Sequence, residues 1–133
     1  MLIDQLIAQV KKTNPAADTE ILQRAYDFAA AAHGDQKRKG GEPYIQHPLH
    51  TAFILAQIRA DLPTIVAGLL HDVPEDTATT LEDVEKEFGT EIARLVEGIT
   101  KLSKVRYRGL VRYRENLRKM FLAMAEDIRV ILI

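Results

Sequence analysis

The amino-acid sequence contains no cysteine and no tryptophan, and only 6% of its residues are aromatic. The absence of cysteine excludes disulfide bonds and thiolate metal sites, and it agrees with a reducing compartment such as the cytoplasm. No apolar run approaches the roughly 20 residues that a membrane-spanning helix requires, and no signal-peptide pattern opens the chain. We therefore expect a cytoplasmic protein without a membrane partner.

The sequence also lacks an excess of charge of one sign, since 18 basic and 19 acidic residues give a formal net charge of −1. The charges are nevertheless clustered, with basic residues at 37–39 and 101–119 and acidic residues at 75–91. Long nucleic acid usually requires a broad basic face, whereas local basic clusters on a near-neutral protein suit a small phosphorylated ligand. We predict such a ligand and no long nucleic acid.

Hydrophobic residues make up 47% of the 133 residues, which is enough for the core of a single domain. Apolar residues recur at three- and four-residue steps through most of the chain, which is the period of an α-helix. Segments of alternating polarity are absent, although the β-branched residues at 129–133 are ambiguous. We predict one all-α domain over residues 1–133.

Turn and cap signals divide this helical pattern into elements. Glycines and prolines over residues 37–48 predict a loop. Thr79 followed by Glu82 has the pattern of a capping box, and Pro63 suits a first helical turn. Helices are predicted from an N-cap at Asp18 or Thr19 to His33, over 51–59 and 63–71, from Thr79 to Gly89, over 90–98, and from about 111.

His71 and Asp72 directly follow an apolar run at 65–70. Burial of an imidazole beside a carboxylate is costly unless the two are paired or bind an ion. A buried His–Asp hydrogen bond and a divalent ion such as Mn²⁺, Fe²⁺ or Zn²⁺ both stay open. His33 and His50 are interpreted as surface or structural residues, with His33 at a helix C-terminus, where a cation suits the dipole.

Glu75 and Asp76 come just after the His–Asp pair. Two carboxylates beside a metal site could activate water for hydrolysis, although a solvated acidic loop has the same composition. Pro74 disfavours helical geometry at Val73, so we expect the preceding helix to end or kink there.

Lys37, Arg38 and Lys39 precede two glycines and Tyr44 in the predicted loop. These side chains could bind phosphate, and arginine and tyrosine could stack on a base. A solvated basic turn is the alternative.

Three short sequence runs, in the order in which they follow one another along the chain, resemble the hydrolase domain of RelA/SpoT homologues. The runs are RKGGEPYIQHP at 38–48, HDVPEDT at 71–77, and ENLRKM at 115–120 followed by DIR at 127–129. The resemblance extends over about residues 25–133, and three motifs in the correct order are far more specific than any one of them.

The resemblance implies a helical HD fold that holds one Mn²⁺ ion. In that family pattern His47, His71 and Asp72 correspond to metal ligands, and Glu75 and Asp76 to the acidic pair that positions or activates the attacking water. These assignments come from the matching motifs.

The resemblance also implies a substrate and a reaction. Arg38 and Lys39 match the basic residues that line the nucleotide pocket of the family, and Tyr44, which could stack on a base, is predicted to bind the substrate with them. The implied activity is that of a guanosine-3′,5′-bis(diphosphate) 3′-diphosphatase, which hydrolyses (p)ppGpp of the stringent response to GDP or GTP and pyrophosphate.

The sequence departs from the family pattern at several positions. Gly40 replaces the usual serine, and Pro74 replaces an aliphatic residue. The fourth metal ligand, in a Lys-Leu-Ala-Asp-Arg run, is expected just after Ile133. We therefore expect an N-terminal fragment of a longer protein, weak or inactive as a hydrolase by itself.

Two other functions fit the residues. The domain could hydrolyse another nucleotide, as a small alarmone hydrolase or an NADPH phosphatase does. It could instead be a non-catalytic regulatory or interaction module, forming a homodimer through the apolar residues at 130–133.

Overall fold

The computed structural model describes residues 2–34, 36, 41 and 43–107, with side chains as far as residue 100. Within these residues the chain forms seven α-helices and no strand, which confirms the all-α prediction. The helices are α1 (Ile3–Thr13), α2 (Glu20–His33), α3 (Gln46–Gln57), α4 (Leu62–Leu70), α5 (Val73–Asp76), α6 (Leu81–Phe88) and α7 (Thr90–Tyr107). The helix predicted from about residue 111 and the ambiguous residues 129–133 lie outside the described part.

Helix α4 is the centre of the core, and its residues from Thr64 to Leu70 are all buried. It packs against α2, α3 and α7. Gly68 permits a close approach to α3, because a Cβ atom there would lie 2.8 Å from Cδ1 of Leu55. Since His71 and Asp72 follow α4 directly, this packing holds both residues at the edge of the core.

The start of α4 is fixed by Asp61, whose Oδ1 accepts a hydrogen bond of 3.0 Å from the main-chain N–H of Thr64. The same oxygen accepts the hydroxyl of Thr64, which is fully buried. Pro63 lies in the first turn, as predicted, where its missing N–H leaves no hydrogen bond unmade.

Several predicted boundaries are wrong. Helix α3 begins at Gln46, so Pro48, which was predicted to lie in the loop, lies in the first turn of this helix. A proline is compatible with that position because the first N–H groups of a helix have no partner within it. The capping box is formed by Thr80 and Asp83, because the N–H of Thr79 is already donated to Oγ1 of Thr77.

Helix α1 packs mainly against α3 and buries Leu6 and Val10. Helix α6 packs against α7. It ends at Gly89, as predicted, and the φ of 94° at this residue is a backbone conformation that favours glycine. Helix α7 extends well beyond the predicted end at residue 98. In the described part of the chain, no helix combines the length and the apolar character needed to cross a membrane.

Candidate metal centre and acidic turn

Three side chains with metal-binding groups meet where α3 begins and α4 ends. His47 lies in the first turn of α3, and His71 and Asp72 follow α4. One ligand atom from each of the three lies within 4.8 Å of the others. Nε2 of His47 is 3.4 Å from Oδ2 of Asp72, and Nε2 of His71 is 3.2 Å from Oδ1. The structure thus brings together the three residues that match the metal ligands of the RelA/SpoT pattern.

The tautomer of His71 follows from its main-chain contact. Its Nδ1 lies 2.6 Å from the carbonyl oxygen of Gly68. A carbonyl can only accept, so Nδ1 carries the hydrogen and Nε2 of a neutral ring presents a lone pair. A hydrogen bond from neutral His71 to Asp72 is therefore excluded, because the ring has no second N–H. In metal-bound histidines, the ring nitrogen that does not bind the metal commonly donates its hydrogen to a main-chain carbonyl, as Nδ1 does here.

The burial of these three side chains also favours a bound cation. The side chains of His71 and Asp72 are 11% and 13% exposed, and that of His47 is 34% exposed. Oδ2 of Asp72 is buried and has no hydrogen-bond partner among the described residues. A buried carboxylate needs a counter-charge, and two imidazole nitrogens with one carboxylate suit a borderline or hard divalent metal. The donor set therefore fits a divalent ion.

The acidic pair lies on the single turn of α5, beside these three residues. Glu75 and Asp76 are both exposed, whereas Val73 is fully buried and anchors the turn in the core. The N–H of Asp76 donates to the carbonyl of Asp72 at 2.9 Å. The acidic residues are thus connected directly to one of the candidate ligands.

The effect of Pro74 was predicted only in part. Helix α4 ends at Leu70, before the proline, as expected. The expectation that Val73 avoids helical geometry is wrong, because Val73 is the first residue of α5. Pro74 lies in the first turn of this new helix, where a proline is tolerated.

Tyr44 contacts the acidic turn through its hydroxyl, which donates to Oδ2 of Asp76 at 2.6 Å. Burial raises the pKa of Tyr44 far above its usual value, and the hydrogen bond to Asp76 and the nearby charge of Asp72 raise it further. The hydroxyl therefore keeps its proton and acts as a donor.

Two residues behind this turn make contacts that the sequence did not predict. His33 ends α2, as expected, and the structural interpretation is the correct one of the two left open, because the residue is 3% exposed and its ring stacks on Tyr44 with centroids 4.4 Å apart. Gln36 donates from Nε2 to the carbonyl of Asp76 at 2.9 Å. The spacing of Ala25, Ala29 and His33 was the available signal, because four-residue steps place His33 on the buried face of α2.

Three further residues were considered from the sequence, namely His50, Arg38 and Lys39. His50 is exposed and does not belong to the group of candidate ligands. Arg38 and Lys39 lie outside the described residues.

Comparison with known proteins agrees with this geometry. Residues 25–133 match the HD domain family. A guanosine-3′,5′-bis(diphosphate) 3′-pyrophosphohydrolase of Aquifex aeolicus is 54% identical over 114 residues, which are 86% of this chain and 16% of that protein. A GTP pyrophosphokinase of Myxococcus xanthus is 47% identical over 128 residues, covering 93% of this chain and 17% of the relative.

The bifunctional (p)ppGpp synthase/hydrolase SpoT of Escherichia coli K12 is 46% identical over 133 residues, which are 99% of this chain and 19% of that protein. The chain thus spans 16% to 19% of the length of these curated relatives. The similarity confirms the resemblance to RelA/SpoT homologues and the HD fold that it implied. The chain belongs to the HD domain family.

Proposed function

We propose that this chain is a metal-dependent phosphohydrolase domain that removes the 3′-pyrophosphate of (p)ppGpp, giving GDP or GTP and pyrophosphate. The observation that carries the proposal is the convergence of His47, His71 and Asp72 beside the acidic turn. The printed names of the Aquifex and Escherichia relatives point to the same reaction.

His47, His71 and Asp72 would hold the metal, and we propose that it is Mn²⁺. A bound divalent ion would supply Lewis acidity, polarising a phosphoryl oxygen and lowering the pKa of a bound water. The fixed tautomer of His71 orients its lone pair before the ion arrives, so less reorganisation is needed on binding.

The acidic turn would manage the proton of the attacking water. As a carboxylate, Asp76 can accept that proton, and we propose that Glu75 shares this role. The hydroxyl of Tyr44 donates to Oδ2 of Asp76, which restricts the rotation of the carboxylate. Both acidic side chains are exposed, so a ligand can reach them.

Arg38, Lys39 and Tyr44 would bind the nucleotide. Arginine and lysine offset phosphate charge. His33 covers one face of the Tyr44 ring, so a base would stack on the opposite face. We further propose that the domain acts in the cytoplasm, in agreement with its lack of cysteine.

The test is a Mn²⁺ titration that follows both metal binding and pyrophosphate release from ppGpp. Two forms are compared: the 133-residue chain, and the same chain extended by the sequence that follows the matching region in the Escherichia relative. The extension would supply the fourth ligand expected after Ile133. We expect His71→Ala to abolish both signals and His50→Ala, a matched exposed histidine, to leave both unchanged.

Two outcomes would overturn parts of this proposal. Binding of Mn²⁺ without cleavage of ppGpp would mean that the substrate is a different nucleotide. Failure of both forms to bind any divalent metal would mean that the His–Asp group is structural and that the domain is an interaction module.

A further inference from the structure

Three side chains outside the candidate ligand set form a connected group behind Asp76, which we call the Asp76 support. They are His33 at the end of α2, Gln36 in the following segment, and Tyr44 before α3. Tyr44 bonds the carboxylate of Asp76 at 2.6 Å, and Gln36 bonds its main-chain carbonyl at 2.9 Å. Both the side chain and the backbone of Asp76 are therefore held from outside α5.

Gln36 connects every member of this group. Its main-chain carbonyl accepts the N–H of Tyr44 at 3.0 Å, and its Oε1 lies 3.2 Å from Nδ1 of His33. The carbonyl of Asp76 can only accept, so the amide nitrogen of Gln36 must face it and Oε1 must face His33. Nδ1 of His33 therefore carries a hydrogen and donates it to Gln36.

The chemistry of His33 indicates a role other than stability. Its Nε2 is buried and has no hydrogen-bond partner in the part of the chain that the structure describes, which costs stability. A phenylalanine could stack on Tyr44 without that unpaired nitrogen. What the imidazole contributes, and phenylalanine cannot, is the N–H that fixes the amide of Gln36.

Asp76 needs such external contacts because α5 is only four residues long. A single helical turn has little stability of its own, and Asp76 is exposed at its end. The buried Val73 fixes the start of the turn. The Asp76 support fixes its end.

We propose that Gln36 and His33 are positioning residues for Asp76 in the hydrolysis reaction, with Gln36 acting on its main chain and His33 holding Gln36 and Tyr44 in place. This inference rests on the proposed function. It predicts that Gln36→Leu, and His33→Phe, which keeps an aromatic ring against Tyr44, slow the chemical step and leave metal and substrate binding intact.

The main test is Gln36→Leu, measured in whichever form of the chain hydrolyses ppGpp. Gln36 is exposed, so the variant should fold. We expect kcat to fall by about 10-fold to 100-fold, as is typical when a supporting hydrogen bond at such a site is removed, with KM and Mn²⁺ affinity unchanged. The matched control is Gln23→Leu, which removes a hydrogen bond of 3.0 Å from the side-chain amide of Gln23 to Oδ1 of Asp27 within α2 and should not alter kcat.

A second variant, His33→Phe, separates positioning from packing. It keeps an aromatic ring against Tyr44 and removes the unpaired nitrogen, but it also removes the donor to Gln36. We expect a melting temperature at least equal to that of the wild type together with a lower kcat. A purely structural role predicts the reverse, with lower stability and an unchanged kcat in the folded protein.

The outcomes distinguish this inference from the proposed function. If the wild type hydrolyses ppGpp and Gln36→Leu keeps its kcat, the positioning role is overturned and the hydrolase stands. A raised KM with unchanged kcat would overturn it too, because Gln36 would then contact substrate. If neither form of the wild type hydrolyses ppGpp, both proposals fail.

Discussion

Asp72 faces two imidazoles, one at each carboxylate oxygen, and this arrangement yields a prediction for Asp72→Asn. Without metal we expect the variant to be at least as stable as the wild type, because an asparagine amide can donate to the lone pair of His71. With Mn²⁺ at 100 times its Kd, the wild type should gain about 2.7 kcal/mol and the variant far less. Thermal unfolding with and without Mn²⁺ measures both effects.

The control for this experiment is Asp27→Asn, which changes an exposed aspartate on α2 and should alter neither stability nor the response to Mn²⁺. A marked loss of stability in metal-free Asp72→Asn would contradict the metal-site interpretation, since Asp72 would then stabilise the fold through its charge on the histidines.

Individual residues also show how far the sequence could predict the site. His47, His71 and Asp72 were identified because their motifs are specific, and the fold brings them together. For His33 the sequence left a surface and a structural position open, because a lone histidine near a helix end is usually solvated. Only the position of Tyr44, which comes from a segment outside α2, makes its buried ring part of the site.

At the scale of single helices, the N-terminus of α4 provides a test of how the site is held. Asp61→Ala would remove the acceptor of the Thr64 N–H and leave the buried Thr64 hydroxyl without its partner. We expect a loss on the order of 2 kcal/mol in the free energy of unfolding. Asp61→Asn keeps an oxygen acceptor and should lose much less. Urea denaturation compares the two, and equal losses would contradict the capping role.

Helix boundaries were predictable only to within a few residues, for identifiable reasons. Adjacent threonines at 79 and 80 are followed by adjacent acids at 82 and 83, so two capping boxes fit the sequence equally well. The hydrogen bond from Thr79 to Thr77 selects the second. Similarly, Pro48 resembles a loop residue, yet it occupies the first turn of α3.

For the molecule as a whole, helical periodicity predicted the all-α class but not which helices pack together. The contact between α3 and α4 depends on Gly68, whose missing side chain admits Leu55. That contact sets His47 beside His71 and Asp72. In the sequence His47 lies more than twenty positions before His71 and Asp72, and only the motif resemblance connected it with that pair before the structure was known.

Helix α1 precedes the residues 25–133 that match the HD family, so its contribution to the stability of the whole domain can be tested. Leu6 is fully buried in the common core, whereas Leu2 is 69% exposed. If α1 belongs to the same cooperative unit, Leu6→Ala should lower the free energy of unfolding by about 2–5 kcal/mol. Leu2→Ala should change it by less than about 0.5 kcal/mol.

Denaturant unfolding followed by circular dichroism measures both changes, and Mn²⁺ affinity is measured under conditions in which both variants are folded. We expect that affinity to be unchanged in Leu6→Ala, because α1 contributes no candidate ligand and acts through its packing on α3. Equal stability of the two variants would mean that α1 is not part of the cooperative core. A loss of Mn²⁺ affinity in folded Leu6→Ala would instead show that the packing of α1 on α3 is needed to hold His47 in place.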